Sequence, residues 1–225
     1  MADFLRAIRK IRDDSPTSNM IVKDAIRFLV PLFVSAFVAY LLGLYLAMFL
    51  VLLLAAFVAF FFRNPKREIP ADPRVIVSPA DGRVVKVERV GKVTKLSIFL
   101  SIFNVHVNRS PIAGRIEAVD YKKGKFKFAF DHAASVENER NVIMVAQGDV
   151  KIVFTQIAGL IARRIVCWKK VGDTVTKGEL IGLIRFGSRV DVLFPAGTEA
   201  TVEKGTRVRG GSSQIGVIRA AKDRA

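Results

Sequence analysis

The 225-residue sequence predicts a mainly β fold, a small barrel or sandwich, preceded by an N-terminal helical hairpin that is transmembrane or re-entrant. Three observations predict it. Phe28 to Phe62 is an apolar run without a charged residue. From Arg74 onward the chain changes to short β-rich runs, separated at close intervals by turns containing Gly and Asp or Asn. That pattern belongs to all-β domains rather than to alternating strand–helix units. The composition, 51% hydrophobic with a mean hydropathy of +0.33, places part of the chain in lipid and leaves enough for one compact domain.

As one helix the apolar run reaches roughly 50 Å, against a hydrocarbon core of about 30 Å. It is too long for one straight span and slightly short for two of about 20 residues each. Gly43, near its middle, is the expected turn of a tight helical hairpin, and Pro31 is expected in the first turn of the first helix, where its missing N–H costs little. Both flanks are basic: Lys23 and Arg27 precede the run, and Arg63, Lys66 and Arg67 follow it. By the positive-inside rule both ends lie on the cytoplasmic side, as a hairpin requires. Phe4, Leu5, Ile8 and Ile11 share one helical face, with Arg6, Arg9, Lys10 and Arg12 around it, so residues 1–27 read as a basic amphipathic segment lying on anionic lipid.

Lys and Arg total 36 against 20 Asp and Glu, a net charge of +16 with a pI near 10.4. Such a charge seeks a polyanion. A nucleic-acid binder would interleave exposed aromatics with its basic residues, whereas here many phenylalanines sit in the apolar run, so the partner expected is an anionic phospholipid membrane and not nucleic acid. The single Cys167 excludes an intrachain disulfide. His106 and His132 lie far apart without the spacing of a zinc site, and no phosphate-binding Gly-Lys-Ser/Thr loop occurs, so no metal and no P-loop chemistry is expected.

Within the β region, strands are expected at Val75 to Val77, Arg83 to Val90, Thr94 to Phe99, Val142 to Ala146 and Val150 to Phe154. Lys170 to Glu179 and Lys204 to Gly211 echo each other as turn, strand step and turn. Both resemble the hairpins of biotinyl- and lipoyl-type domains, but neither carries the lysine tip that accepts such a cofactor. That likeness speaks for a fold with lipoyl-like hairpins and not for swinging-arm chemistry.

Three segments carry residues suited to chemistry. Ser78-Pro79-Ala80-Asp81-Gly82 holds a carboxylate in a tight turn before a strand. Phe103 to Pro111 contains His106 and Arg109. Phe186-Gly187-Ser188-Arg189-Val190-Asp191 opens an alternating strand. Each alone reads as ordinary structure: a turn, a satisfied histidine, a bend.

Their order changes the reading. With Phe62-Arg63-Asn64-Pro65 after the apolar run, with Asn138-Glu139-Arg140-Asn141, and with Ile157 to Ile165, they resemble the phosphatidylserine decarboxylase family in its short form, over about residues 60 to 195. Archaetidylserine, an ether lipid, is a substrate option for such short forms. The resemblance implies self-cleavage between Gly187 and Ser188, giving a large chain 1–187 and a small chain 188–225, with Ser188 converted into a pyruvoyl group. Gly210-Gly211-Ser212-Ser213 is the competing site. It falls in the hairpin echo and lacks the alternating strand that follows the family's serine.

Decarboxylation of an amino-acid headgroup leaves electrons on Cα, which no ordinary side chain accepts, so an electrophilic sink is required. A pyruvoyl ketone that captures the substrate amine supplies one. Ser188 Oγ needs a base for its attack on the Gly187 carbonyl, and His106 with Asp81 is the candidate; afterwards His106 serves decarboxylation or protonation of Cα. Larger members carry two histidines three apart, of which the second is expected to join Asp and Ser in self-cleavage, so its replacement here leaves the maturation base open. His106 matches the first, and Arg109 stands at the second, where it is expected to hold the lipid's phosphate or carboxylate. Arg140 of the Asn-Glu-Arg triplet is a second expected substrate contact. The expected organisation is therefore an amphipathic segment at 1–27, a membrane hairpin at 28–62 and a catalytic β domain at 63–225, on the cytoplasmic side of the cell membrane. The alternative reading, from another class, is a non-catalytic membrane-anchored adaptor with a lipoyl-like β domain.

Overall fold

The computed structural model describes residues 20–124, 138–159, 164–185 and 188–219. Phe4, Leu5, Ile8 and Ile11 of the expected amphipathic segment, His132 and Gly187 lie outside the described residues. The chain divides into two compact units, Met1–Lys66 and Arg67–Ala225.

In the first unit a 3₁₀ turn, Lys23–Ala25, leads into a helix at Ile26–Leu41, followed by a second at Tyr45–Phe61, and the two pack against each other. Gly43 makes the turn, with a φ of 70°. Its N–H donates to Tyr40 O at 3.0 Å, and that of Leu44 to Ala39 O at 2.9 Å, the paired bonds by which a left-handed residue closes a helix. The two ends of the hairpin meet: Ile21 bridges Arg63, and Val22 N–H donates to Phe62 O at 3.1 Å. Pro31 is not in the first turn as expected. The helix begins at Ile26, so Pro31 lies inside it and removes one interior hydrogen bond. The stretch Lys23–Leu41 is long and apolar enough to cross a membrane, while Tyr45–Phe61 is shorter. Both helices leave large apolar side chains exposed, among them Phe33, Phe37, Leu46 and Leu53.

The second unit is mainly β, and among the described residues every strand pairing in it is antiparallel. Its strands are β1 (Val75–Val77), β2 (Gly82–Val90), β3 (Val93–Leu100), β4 (Val107–Arg109), β5 (Gly114–Lys122), β6 (Arg140–Gln147), β7 (Val150–Ala158), β8 (Ile165–Cys167), β9 (Thr174–Val175), β10 (Leu180–Ile184), β11 (Ser188–Phe194), β12 (Thr198–Ala200), β13 (Arg207–Val208) and β14 (Gln214–Ile218). They form an eight-stranded sheet, β13-β2-β3-β11-β7-β6-β5-β9, and two three-stranded sheets, β1-β14-β12 and β4-β10-β8. All three contribute to one apolar core, through residues such as Ile76, Leu96, Phe154, Ile181, Val190 and Ile215. Along β6 and β7 burial alternates with the period of two that places one strand face in that core.

The strand order reveals an internal duplication. Ser78-Pro79 and Gly82-Arg83 recur as Ser110-Pro111 and Gly114-Arg115. Gly82 opens β2 opposite Val208, and Gly114 opens β5 opposite Val175. Ser78 Oγ donates to Ala80 O at 2.6 Å, and Ser110 Oγ to Ile112 O at 2.7 Å. Val77 N–H donates to Pro111 O, and Arg109 N–H to Pro79 O, so the two copies exchange hydrogen bonds at their turns. The two echoed segments cap opposite edges of the large sheet as β9 and β13. Neither Gly82 nor Gly114 admits a side chain: a Cβ would stand 2.2 Å from Phe99 O and 2.0 Å from Ala146 O respectively.

One copy is nested in the other. Strands β6 and β7 join by a tight turn that pairs Gln147 with Val150. Their counterparts β3 and β11 pair Leu100 with Ser188, but the chain from β4 through β10 intervenes between them. Ser188 is thus the residue at which the chain rejoins the outer copy.

Candidate active site

Asp81 is presented by the first Ser-Pro turn. Gly82 behind it approaches β3 too closely for any side chain, which fixes the turn against the sheet. Arg67 Nη2 donates to both Asp81 oxygens, at 2.9 and 2.8 Å, and Gly210 N–H donates to Oδ1 at 2.8 Å. Arg67, taken in the sequence as part of the basic membrane flank, is therefore an internal partner of the β unit. A contact across fourteen residues of irregular chain leaves no periodic trace.

Arg109 lies buried behind this pair, with Nη1 donating to Gly178 O at 2.9 Å. Burial pushes its pKa down to about 10; the charge of Arg67 adds to that, and Asp81 opposes it. It is thus an interior guanidinium beside Asp81 rather than a solvated strand-end residue.

Asp81 opens into a cleft of about 860 Å³ lined by Arg83, Phe99, Ser101, Asn104, Arg207, Val208, Arg209, Ser212 and Ser213. The turn Ser101 to Asn104 forms part of its wall. Asn104 Oδ1 accepts from both N–H and Oγ of Ser101, each at 2.9 Å. His106 follows, buried, with Nδ1 2.9 Å from Asn104 O. A carbonyl only accepts, so Nδ1 carries the hydrogen, and in the neutral ring Nε2 is the basic nitrogen. His106 O accepts from Ile184 N–H at 3.2 Å, at the end of β10, just before the chain reaches Ser188.

Ser188 opens β11 between Leu100 of β3 and Ala158 of β7. Its Oγ is fully buried and has no hydrogen-bond partner among the described residues. Leaving a buried hydroxyl unpaired costs about 1–3 kcal/mol, which points to a use other than stability. Its neighbour Ala158 is clamped: Asn138 Nδ2 donates to Ala158 O at 2.7 Å, Ala158 N–H donates to Glu139 O at 2.9 Å, and Ile165 N–H donates to Glu139 Oε1 at 3.1 Å.

Asp81, His106 and Ser188 are thus gathered at one end of β3. Leu100 pairs with Ser188, the next turn carries Asn104 and His106, and that turn shares the cleft with Asp81. Asp81 bonds Arg67 and Gly210, so among the described residues no side-chain hydrogen bond joins Asp81, His106 and Ser188 directly. Arg140 starts β6 and does not line the cleft. The competing Gly210 to Ser213 segment does line it, but as a pinned loop: Ser213 Oγ accepts from Arg209 N–H at 2.9 Å, and Ser213 O from Ser78 N–H at 2.8 Å. The sequence reading missed Arg67 as a partner of Asp81 and Asn138 as a clamp beside Ser188.

The phosphatidylserine decarboxylase family profile matches residues 54–216, spanning Asp81, His106 and Ser188. The chain belongs to that family. A phosphatidylserine decarboxylase proenzyme of Solibacter usitatus is 57% identical over 156 residues, which cover 69% of this chain and 76% of the relative. Proenzymes of the same description from Carboxydothermus hydrogenoformans and Desulfotalea psychrophila are 49% and 44% identical, each over 168 residues; these cover 71% of this chain and 79% and 78% of the relatives. Family membership decides for a decarboxylase made as a proenzyme, against a non-catalytic adaptor.

Proposed function

We propose that this chain is a self-processing, pyruvoyl-dependent decarboxylase of a serine phospholipid, phosphatidylserine or archaetidylserine, yielding the ethanolamine phospholipid and CO₂. The observation that carries the proposal is Ser188: a nucleophile-type oxygen, buried and unpartnered, on a strand held on both sides.

Maturation begins as Ser188 Oγ gives its proton to a base and bonds the Gly187 carbonyl carbon. The Gly187–Ser188 C–N bond breaks, leaving an ester. Loss of the Ser188 Cα proton expels the Gly187 carboxylate, and hydrolysis of the resulting dehydroalanine releases ammonia and leaves the pyruvoyl group. Once formed, that group supplies the electron sink the decarboxylation requires. His106, with Nδ1 held by Asn104, has the tautomer suited to move a proton at Nε2. Asp81, fixed by Arg67, shapes the polar end of the site, and Arg109 brings positive charge behind it. Arg140 is proposed as a second substrate contact.

The small chain 188–225 would stay bound after cleavage. It contributes β11, hydrogen-bonded on both sides within the large sheet, and β14, held between β1 and β12. The apolar helices anchor the protein to the cell membrane, with the lipoyl-like β domain on the cytoplasmic side, where a two-chain lipid can be engaged without leaving the bilayer.

Intact mass under denaturing conditions tests the assignment. The unmodified protein should give two chains, Ser188→Ala one chain, and Ser213→Ala two. Normal splitting of Ser188→Ala with none in Ser213→Ala would transfer the site to the competing loop.

A further inference from the structure

The cleft beside Asp81 carries more positive charge than the fold requires. Arg83 of β2 and Arg207 of β13 are directly paired across two antiparallel strands. Like charges so placed repel and destabilise a sheet unless an anion lies between them. Arg209, two residues further on, faces the same cleft. Among the described residues Asp81 is the one carboxylate lining it, and that is already engaged by Arg67 and Gly210 N–H. The duplication supplies an internal control. At the opposite sheet edge the pair equivalent to Arg83 and Arg207 is Arg115 and Thr174, and Thr176 occupies the position of Arg209. The architecture therefore forms without the second and third arginines.

We propose that Arg83, Arg207 and Arg209 form the binding site for the phosphodiester of the lipid headgroup; this rests on the decarboxylase reading above. Arginine suits the task because its planar donor fork matches phosphate oxygens. Position suits it as well. Arg83 is held by Nε donating to Gly205 O at 3.1 Å, and Arg209 sits on the loop pinned to Ser78 and Asp81. Arg83 pairs with Phe99 and Ser188 with Leu100, the next residue, so the two side chains leave opposite faces at the same end of β3, two strand spacings, about 10 Å, apart. A headgroup held at the arginines would reach Ser188 around that strand end, past Ser101 and Asn104. Ser101 and Asn104 of the same cleft wall lead to His106 on one side and adjoin the partner of Ser188 on the other.

The test is steady-state kinetics of full-length Arg207→Gln/Arg209→Gln on phosphatidylserine in neutral-detergent mixed micelles, with intact mass and urea midpoint confirming a folded, two-chain protein. Expected is a rise in KM of about tenfold or more, exceeding the fall in kcat, with partial recovery in Arg207→Lys/Arg209→Lys. Inorganic phosphate should compete with the lipid on the unmodified enzyme and compete less on the Gln variant. A KM within twofold of the unmodified value overturns the proposal. Loss of phosphate inhibition with lipid KM unchanged would assign the site to free phosphate, and weaker adhesion to phosphatidylglycerol vesicles with micellar KM unchanged would assign it to general membrane contact; either overturns it. Should the double variant fail to fold, Arg209→Gln alone, on an exposed loop residue, carries the same comparison. Failure of the unmodified protein to split or to release CO₂ would instead sink the decarboxylase reading, a separable result.

Discussion

Arg67 grips both oxygens of Asp81, at 2.9 and 2.8 Å, with both side chains close to 90% buried. The Asp81 carboxylate also faces the buried Arg109, so its removal leaves two interior guanidiniums without it. Asp81→Ala is expected to cost about 3 kcal/mol, the usual result of breaking a buried pair from one side. Arg67→Met in the same chain should restore part of that. Urea midpoints measure both, and a loss under about 0.5 kcal/mol in Asp81→Ala would show that the pair does not hold the turn.

His106 matches the family histidine that stands outside the expected self-cleavage triad, so its proposed role lies in turnover rather than in maturation. His106→Ala should still arrive as two chains, with kcat lowered about a hundredfold, the usual scale for losing a general acid–base group. A single unsplit chain in a well-folded His106→Ala protein would reassign His106 to maturation.

Gly82 and Gly114 are equivalent in the duplication, and each abuts a carbonyl oxygen of the neighbouring strand. Gly82→Ala and Gly114→Ala are each expected to cost about 1–3 kcal/mol as overpacking. Comparable drops in Tm would match the shared geometry. A neutral Gly82→Ala would mean that the turn beside Asp81 is free to shift.

Cys167 packs against the core, and burial pushes its thiol pKa up from the ordinary 9.0. The folded state therefore holds the proton more tightly than the unfolded chain. Stability is unaffected below the ordinary thiol pKa and declines as pH rises above it. Alkylation by iodoacetamide near pH 8 should be slower in the native protein than in urea, because less thiolate is present. Equal rates in the two states would show that the site is not enclosed.

Much of the local structure was legible along the chain. The Gly43 turn and the strands at Val75 to Val77, Arg83 to Val90 and Thr94 to Phe99 follow from residue type and a period of two. Gly114–Lys122 was not, because its charged residues alternate with apolar ones irregularly around a bulge between Ile116 and Ala118. The echo of Lys170 to Glu179 in Lys204 to Gly211 was visible, but not the duplication it belongs to. The Ser-Pro and Gly-Arg residues of the two copies are only a few among many.

What the sequence alone determined is the set of parts: an apolar segment with a glycine turn, a β-rich unit, and three short segments bearing Asp81, His106 and Ser188. Their order was enough for the family resemblance. The tertiary structure alone decided what each part meets. It paired Ser188 with Leu100 across an intervening copy of the fold, gave Asp81 to Arg67, buried Arg109 and set Arg83 against Arg207. The physical reason is range. Turn chemistry and strand periodicity act between near neighbours and leave a local pattern. Strand register and ion pairing join residues far apart in the chain, and the shared core selects them only once the sheets have closed around it.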